Sequence, residues 1–206
     1  MTTDTHEITL GNDQRVGLVG RTGMGKTFLV EHLVEGQPRV LAVDSKHCLS
    51  WPGYSLTFDA GAALLADHVI YRHREARPPS EFWGLALHSL HERGGGILYI
   101  DELPVITSAD YIPPKLAECF RLGRELGVGV WWAGQEAVGV ANTAIRQSDI
   151  LVLFRNHGAS DRDKLMRTCG DLAELTAHLK AFEFTVYESS GQEYDPGQIP
   201  VYTLNA

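Results

Sequence analysis

The sequence has little of what would cross-link, anchor or export a protein. Three cysteines among 206 residues are too few and too widely spaced for a disulfide framework or a paired-cysteine metal site. No run approaches the roughly 20 apolar residues that cross a bilayer, and the first residues lack the charged and then apolar order of a signal peptide. These absences predict a soluble, unprocessed protein of the reducing cytoplasm.

Positive charge is also scarce. Eighteen Lys and Arg stand against 26 Asp and Glu, which gives a formal net charge of -8 at pH 7. A surface that coats nucleic acid indiscriminately needs Lys and Arg to neutralise phosphates, so this balance excludes one. Local basic clusters at residues 72–77 and 162–167 could still contact DNA, although solvated surface charge is the simpler explanation of each.

Short apolar runs alternate with helical segments along most of the chain. This alternation is typical of a mainly parallel sheet with helices on both faces, and it places ligands at the carboxyl ends of the strands. We predict strands at residues 15–19, 40–43, 68–71, 97–100, 128–133 and 150–154. We predict helices at residues 26–34, 61–67, 80–93, 114–126, near 144 and 172–179.

The two ends of the chain have a different pattern. Residues 8–10 should form a hairpin with the first core strand, and residues 182–187 should form an antiparallel edge hairpin with a strand near residue 201. A chain of this length predicts one domain over residues 1–206. Its predicted parts are an N-terminal strand or hairpin (1–14), a core (15–155), and C-terminal helices with antiparallel edge strands (156–206).

The most specific motif follows the first core strand. Residues 20–27 match GxxxxGK[ST], the Walker A pattern, between an apolar strand and a helix, so a Gly-rich turn without a ligand is a poor alternative. The glycines let backbone N–H groups surround the β- and γ-phosphates of ATP, and Lys26 adds a positive charge. The Thr27 hydroxyl would bind Mg²⁺. The predicted ATP-binding residues are Gly20, Arg21, Thr22, Gly23, Met24, Gly25, Lys26, Thr27 and Phe28.

Two acids follow the buried run at residues 97–100. Asp101 is placed to hold Mg²⁺ through water, and Glu102 is the better candidate for polarising the water that attacks the γ-phosphate. Without the upstream P-loop, the same pair would equally well be a solvated strand end. Together the two motifs predict an ATP-hydrolysing core of the RecA-like P-loop type.

A third polar strand end is Gln135, after the predicted strand at residues 128–133. We expect this strand beside the first one, where Gln135 could sense the γ-phosphate or orient water. A loop glutamine bonded to the backbone is the alternative. Trp131 and Trp132 are interpreted as packing residues of the sheet.

Two arginines lie three residues apart on the helix before that strand. Arg121 and Arg124 therefore share a helix face and could point beyond the subunit. An arginine finger would act in this way on the ATP of a neighbouring subunit and stabilise charge in the transition state. The alternative is a solvated helix face.

Taken together, the motifs resemble the FtsK-HerA superfamily of DNA-pumping ATPases over residues 15–154. Besides the P-loop, the segments at residues 43–46, 99–102, 121–128 and 132–135 carry the resemblance. In that family the arginine before the Gln-bearing strand acts across the ring interface, so the resemblance singles out Arg124. The family often has Asp-Pro-Lys and Ala-Thr-Gln-Arg-Pro where this chain has Asp-Ser-Lys and Ala-Gly-Gln-Glu-Ala, so it assigns no role to Lys46 or Glu136.

Cellular members of the family usually carry membrane segments, a barrel or a winged helix, for which this chain has no room. It looks like the minimal motor of membrane-containing icosahedral viruses, which package double-stranded DNA into a preformed capsid. The resemblance implies a homo-oligomeric ring, expected to be a hexamer, with capsid or membrane-vertex proteins as further partners. It places the protein in the host cytoplasm and at the packaging vertex of the virion.

Two alternatives stay open from the sequence. One is an ATPase of filamentous-phage assembly or plasmid DNA transfer, which a membrane anchor would favour. The other is a nucleotide-gated switch that hydrolyses ATP slowly without moving DNA.

Overall fold

The computed structural model describes residues 10–190 and 199–204, and a nine-stranded sheet runs through them. The strands are β1 (Arg15–Val19), β2 (Val40–Asp44), β3 (Ser55–Thr57), β4 (His68–Tyr71), β5 (Gly96–Asp101), β6 (Val128–Gly134), β7 (Ile150–Phe154), β8 (Glu183–Glu188) and β9 (Tyr202–Thr203). The helices are α1 (Lys26–Leu33), α2 (Ala60–Leu65), α3 (Ser80–Glu92), α4 (Pro114–Leu122), α5 (Asn142–Gln147), α6 (Ala159–Cys169) and α7 (Leu172–Leu175), with a short 3-10 helix at Leu103–Val105.

The strand order is β3-β4-β2-β5-β6-β1-β7-β8-β9. The strands from β3 through β7 in this order run parallel, whereas β8 and β9 are antiparallel. The predicted fold class, a mainly parallel α/β sheet with antiparallel edge strands, is therefore confirmed. β6 lies directly beside β1, as the sequence predicted for the strand that precedes Gln135.

The two faces of the sheet carry separate apolar clusters. Along β1, Leu18 packs in one cluster with Val30 of α1, and the next residue, Val19, packs in the other with Trp83 of α3. Side chains that alternate along a strand point to opposite faces, so helices cover both sides. Burial on both faces explains why the central strands are continuous apolar runs in the sequence.

The two tryptophans of β6 pack within these layers, as predicted. The Trp132 Nε1 donates to Ser148 Oγ at 3.1 Å, and the Trp131 Nε1 donates to the Gln14 carbonyl oxygen at 3.1 Å. Gly17 of β1 leaves room for the indole ring of Trp132, because a Cβ at residue 17 would lie 2.3 Å from Trp132 Cζ2. This close approach fixes β6 against β1, and the ends of these two strands form part of the site below.

Several predicted boundaries were wrong. The helix predicted at residues 172–179 ends at Leu175, and the helix predicted at residues 114–126 ends at Leu122. The hairpin strand predicted at residues 8–10 falls mostly outside the described residues, and Leu10 belongs to no strand. Within the described ranges, no helix is both long enough and apolar enough to cross a bilayer.

A strand and a helix were missed, as was the short 3-10 helix. The edge strand β3 has only three residues, and none of them is buried, so it carries no hydrophobic signal. The helix α6 buries only Leu165, Cys169 and Asp161 within a strongly polar sequence, so its apolar stripe is too narrow to recognise. Tertiary contacts stabilise β3 and α6.

Candidate active site

The carboxyl ends of three neighbouring strands meet at one edge of the sheet. Because β5, β6 and β1 are adjacent and parallel, the segments that follow them come together there. A cavity of about 380 Å³ opens at this point. Its lining residues are Thr22, Gly23, Gly25, Lys26, Thr27, Phe28, Lys46, Cys48, Asp101, Glu102, Gln135 and Phe182.

The loop between β1 and α1 is anchored at its start. The Gly20 N–H donates to the Gly134 carbonyl of β6 at 3.2 Å, and the Arg21 N–H donates to the Arg155 carbonyl after β7 at 3.2 Å. Gly25 has φ = +101°, a backbone conformation that residues other than glycine rarely adopt, and α1 begins at the next residue. The loop thus ends on the unpaired N–H groups of a helix start, which favour an anion.

Lys26 lies inside this loop. Its ammonium group donates to the Gly20 carbonyl and, at 3.0 Å, to the Arg21 carbonyl. Burial, which disfavours the charged form, lowers the pKa of Lys26 to about 8. Phosphate oxygens are stronger acceptors for an ammonium group than neutral carbonyls are, so a bound phosphate would replace these contacts.

Glu102 is held from two sides. Lys46 Nζ lies 2.5 Å from its Oε2, and the Gln135 N–H donates to its Oε1 at 3.1 Å. The backbone of Glu102 has φ = +69°, an uncommon conformation for a residue other than glycine and one that concentrates at functional sites. The side chain is buried, and its contacts with Lys46 and the Gln135 N–H fix its orientation at the cavity. A carboxylate in this position can accept a proton from water.

The neighbouring carboxyl group of Asp101 has a different environment. The Tyr99 hydroxyl donates to its Oδ1 at 3.0 Å, and the Cys48 sulfur lies 3.9 Å from its Oδ2. Burial raises the pKa of the Asp101 carboxyl to about 6, the Tyr99 hydrogen bond opposes this rise, and the carboxylates of Asp44 and Glu102 add to it. Within residues 10–190 and 199–204, no Lys or Arg side chain forms an ion pair with Asp101.

A cation with oxygen ligands fits this place. Asp101 is a buried carboxyl group without a cationic partner in the described residues, and the exposed Thr27 hydroxyl lines the same cavity. Mg²⁺ prefers such hard oxygen ligands and would neutralise phosphate charge when bound here. Thr27 and Asp101 are therefore the residues that would hold it.

Asn in place of Asp101 should stabilise the protein in the absence of Mg²⁺ while abolishing ATP turnover. The folded state raises the pKa of this carboxyl to about 6, so folding stability falls as pH rises from about 4 to about 6 and the carboxyl group ionises. The Asp101→Asn variant lacks this loss and should gain up to about 3 kcal/mol of unfolding free energy above pH of about 6. Urea unfolding between pH of about 4 and about 8 measures the difference, and a gain that does not grow with pH would contradict it.

Sequence reasoning assigned no role to Lys46, although its ion pair with Glu102 makes it part of the site. Its position follows from Asp44, the last residue of β2, which pairs in register with Asp101 of β5. The buried Asp44 carboxylate accepts from the Leu49 N–H at 2.9 Å and from Arg72 Nε at 2.8 Å, which fixes the turn that carries Lys46. The strand-end pattern of residues 43–46 was the available signal.

Four predicted site residues do not line this cavity. Gly20, Arg21 and Met24 lie in the loop itself, and Arg21 and Met24 line a separate cavity of about 520 Å³. Arg124 lies at the opposite edge of the sheet. It precedes β6, at the amino ends of the strands, and its guanidinium lies 3.7 Å from Asp149 Oδ1 with 63% of the side chain exposed. Asp149 is bound more closely by Arg15, at 2.6 Å. The seven residues of β6, roughly 20 Å, separate Arg124 from the P-loop end, so it cannot contact phosphates in its own chain. Its role in a neighbouring subunit stays a prediction.

Comparisons with known proteins agree with this architecture. No protein-family model matches the sequence, and no curated protein matches it. The genome-packaging NTPase B204 of Sulfolobus turreted icosahedral virus 2, solved with ATP-gammaS, aligns with a TM-score of 0.81 and 18% identity over 96% of this chain and 100% of its own. The DNA-packaging ATPase B204 of Sulfolobus turreted icosahedral virus aligns over the same shares, with a TM-score of 0.77 and 18% identity.

A more distant similarity is to the type VII secretion ATPase EccC of Thermomonospora curvata. The TM-score is 0.52 at 17% identity, over 95% of this chain and 25% of that one. At these identities the likeness establishes the fold: the chain has the α/β fold of the P-loop ATPases. The resemblance predicted from the motifs is confirmed at that level.

Proposed function

We propose that this protein hydrolyses ATP to move double-stranded DNA, as the genome-packaging motor of a virus that fills a preformed capsid. One observation carries the proposal. The P-loop, Asp101, Glu102 and Gln135 line a single cavity, in a fold shared over almost the whole chain with the B204 packaging ATPases.

Each group in the cavity has a role in this proposal. Lys26 and the backbone of the loop bind the β- and γ-phosphates, and Thr27 and Asp101 would hold Mg²⁺, which would neutralise phosphate charge. Glu102 accepts the proton of the attacking water, and the contact with Lys46 holds its carboxylate in position.

The proposed motor is a ring, expected to be a hexamer, built from identical head-to-tail interfaces. In this ring we place the amino-end edge of one subunit at the nucleotide of the next. Arg124 is exposed at that edge, so it is the residue we assign to the neighbour's γ-phosphate.

Two arginines of the basic cluster are available for DNA phosphates. Arg72 is bound to Asp44 and to the Leu49 carbonyl, which removes it from the candidates. Arg74 and Arg77 are exposed in the same loop. The loop at residues 106–115 has a single cation, Lys115, and it is paired with Glu118 at 3.0 Å. We therefore assign the DNA contact to Arg74 and Arg77.

The proposed motor works in the host cytoplasm and docks at the packaging vertex of the virion.

The test is ATP turnover with and without linear double-stranded DNA. The proposal predicts that DNA raises turnover, that Arg77→Ala weakens the stimulation, and that Arg167→Ala, an exposed cation of the other basic cluster, preserves it. ATP turnover that does not change at any DNA concentration would contradict translocation. It would favour the nucleotide-gated switch instead.

A further inference from the structure

Phe182 combines two unfavourable features. Its backbone has φ = +64°, which is strained for a bulky residue, and its ring is 42% exposed at the turn before β8. Neither feature is needed for the β-hairpin itself, because Phe184, two residues later, supplies the buried aromatic contact to Phe154 and Tyr202. Strain that persists in an exposed turn points to a functional contact.

The ring faces the phosphate-binding loop. A Cβ added to Gly25 would lie 3.0 Å from Phe182 Cδ1 and 2.7 Å from Leu204 Cδ1. The Leu204 N–H donates to the Phe182 carbonyl at 2.9 Å, so main-chain pairing holds the two side chains together beside the start of α1. Phe182 lines the same cavity as Lys26 and Thr27.

The strand order decides which end of a nucleotide reaches this ring. Asp101 and Glu102, which face the γ-phosphate in the proposed mechanism, lie at the end of β5, two strands to one side of β1. Phe182 precedes β8, two strands to the other side of β1. A triphosphate bound on the loop after β1 with its γ-phosphate toward β5 therefore directs its nucleoside toward Phe182.

We propose that Phe182 is the surface on which the nucleobase of the bound triphosphate stacks, with Leu204 supporting the ring. The inference rests on the proposed nucleotide-binding function and adds the residue that recognises the base. Stacking of a base on an aromatic ring typically contributes about a tenfold gain in affinity. Because it uses the face of the base, it requires no hydrogen-bonding group at this position.

Calorimetric titration with Mg²⁺ and two ligands tests the proposal. One ligand is a non-hydrolysable ATP analogue, and the other is inorganic tripolyphosphate, which has no base. Phe182→Ala should weaken binding of the analogue about tenfold and leave tripolyphosphate binding unchanged. Phe182→Tyr should preserve both affinities. Val201→Ala, which removes another exposed apolar side chain near β9, is the matched control and should change neither.

A glycine variant separates binding from folding. Phe182→Gly relieves the positive φ, so it should unfold no earlier than the wild type while showing the same selective loss of the analogue. Equal weakening of both ligands would mean that the ring acts on the loop, and no weakening would mean that the ring does not contact the nucleotide. Either result overturns base stacking while leaving the P-loop site in place. A wild-type protein that binds neither ligand would overturn the proposed function itself.

Discussion

Glutamine in place of Glu102 is expected to lower ATP turnover by about 100-fold to 10,000-fold. The amide keeps the shape of the side chain but cannot take a proton from the attacking water. Affinity for Mg²⁺-ATP should change little, because Lys26 and the loop backbone make the phosphate contacts. Single-turnover hydrolysis and calorimetric binding measure the two quantities separately.

The matched control for this variant is Glu136→Gln. Glu136 is exposed and follows Gln135, but it lies outside the 380 Å³ cavity that contains Glu102. Its variant should keep nearly full turnover. If Glu102→Gln hydrolyses ATP within a few-fold of the wild type, Glu102 is not the base and another group activates the water.

Alanine in place of Arg124 is expected to lower turnover about 1,000-fold in the assembled ring, because an arginine finger stabilises the charge of phosphoryl transfer. The unfolding free energy of the monomer should change little. The contact of Arg124 with Asp149 is long and exposed, and Arg15 keeps that aspartate paired. Turnover and urea unfolding of the variant measure both effects. Arg121→Ala, an exposed arginine of the same segment, is the control and should stay active.

Mixing two inactive variants tests whether Arg124 acts in trans. In a ring of Glu102→Gln and Arg124→Ala chains, some sites combine an intact Glu102 with an intact Arg124 from the neighbour. Turnover should therefore recover in part as the two are mixed. A mixture as inactive as its components would remove Arg124 from the neighbour's site.

The parts of the site that sequence reasoning found are the local ones. A glycine-rich loop between an apolar strand and a helix, and two acids at a strand end, follow from short segments whose periodicity is clear. The meeting of Glu102 with Gln135 required only that parallel strands share one carboxyl edge, and the observed order β5-β6-β1 satisfies that requirement.

The parts that it missed depend on distant segments of the chain. Lys46 and Glu102 are 56 residues apart in the sequence and meet because β2 lies beside β5. The order of elements along the chain does not predict which strands become neighbours. Phe182 reaches the loop only because β8 and β9 extend the sheet on the far side of β7. Phe182 belongs to no motif, and the strand-end pattern at residues 43–46 does not say which group Lys46 contacts, so the tertiary structure is needed to place both side chains.

The central claim is that this cavity binds a nucleoside triphosphate through the loop at residues 20–27. A crystal structure with Mg²⁺ and a non-hydrolysable ATP analogue tests it most directly. The account predicts that Lys26 exchanges its carbonyl partners for β- and γ-phosphate oxygens, with the metal between Thr27 and Asp101. A nucleotide bound elsewhere, with Lys26 still donating to the Gly20 carbonyl in a closed cavity, would contradict it.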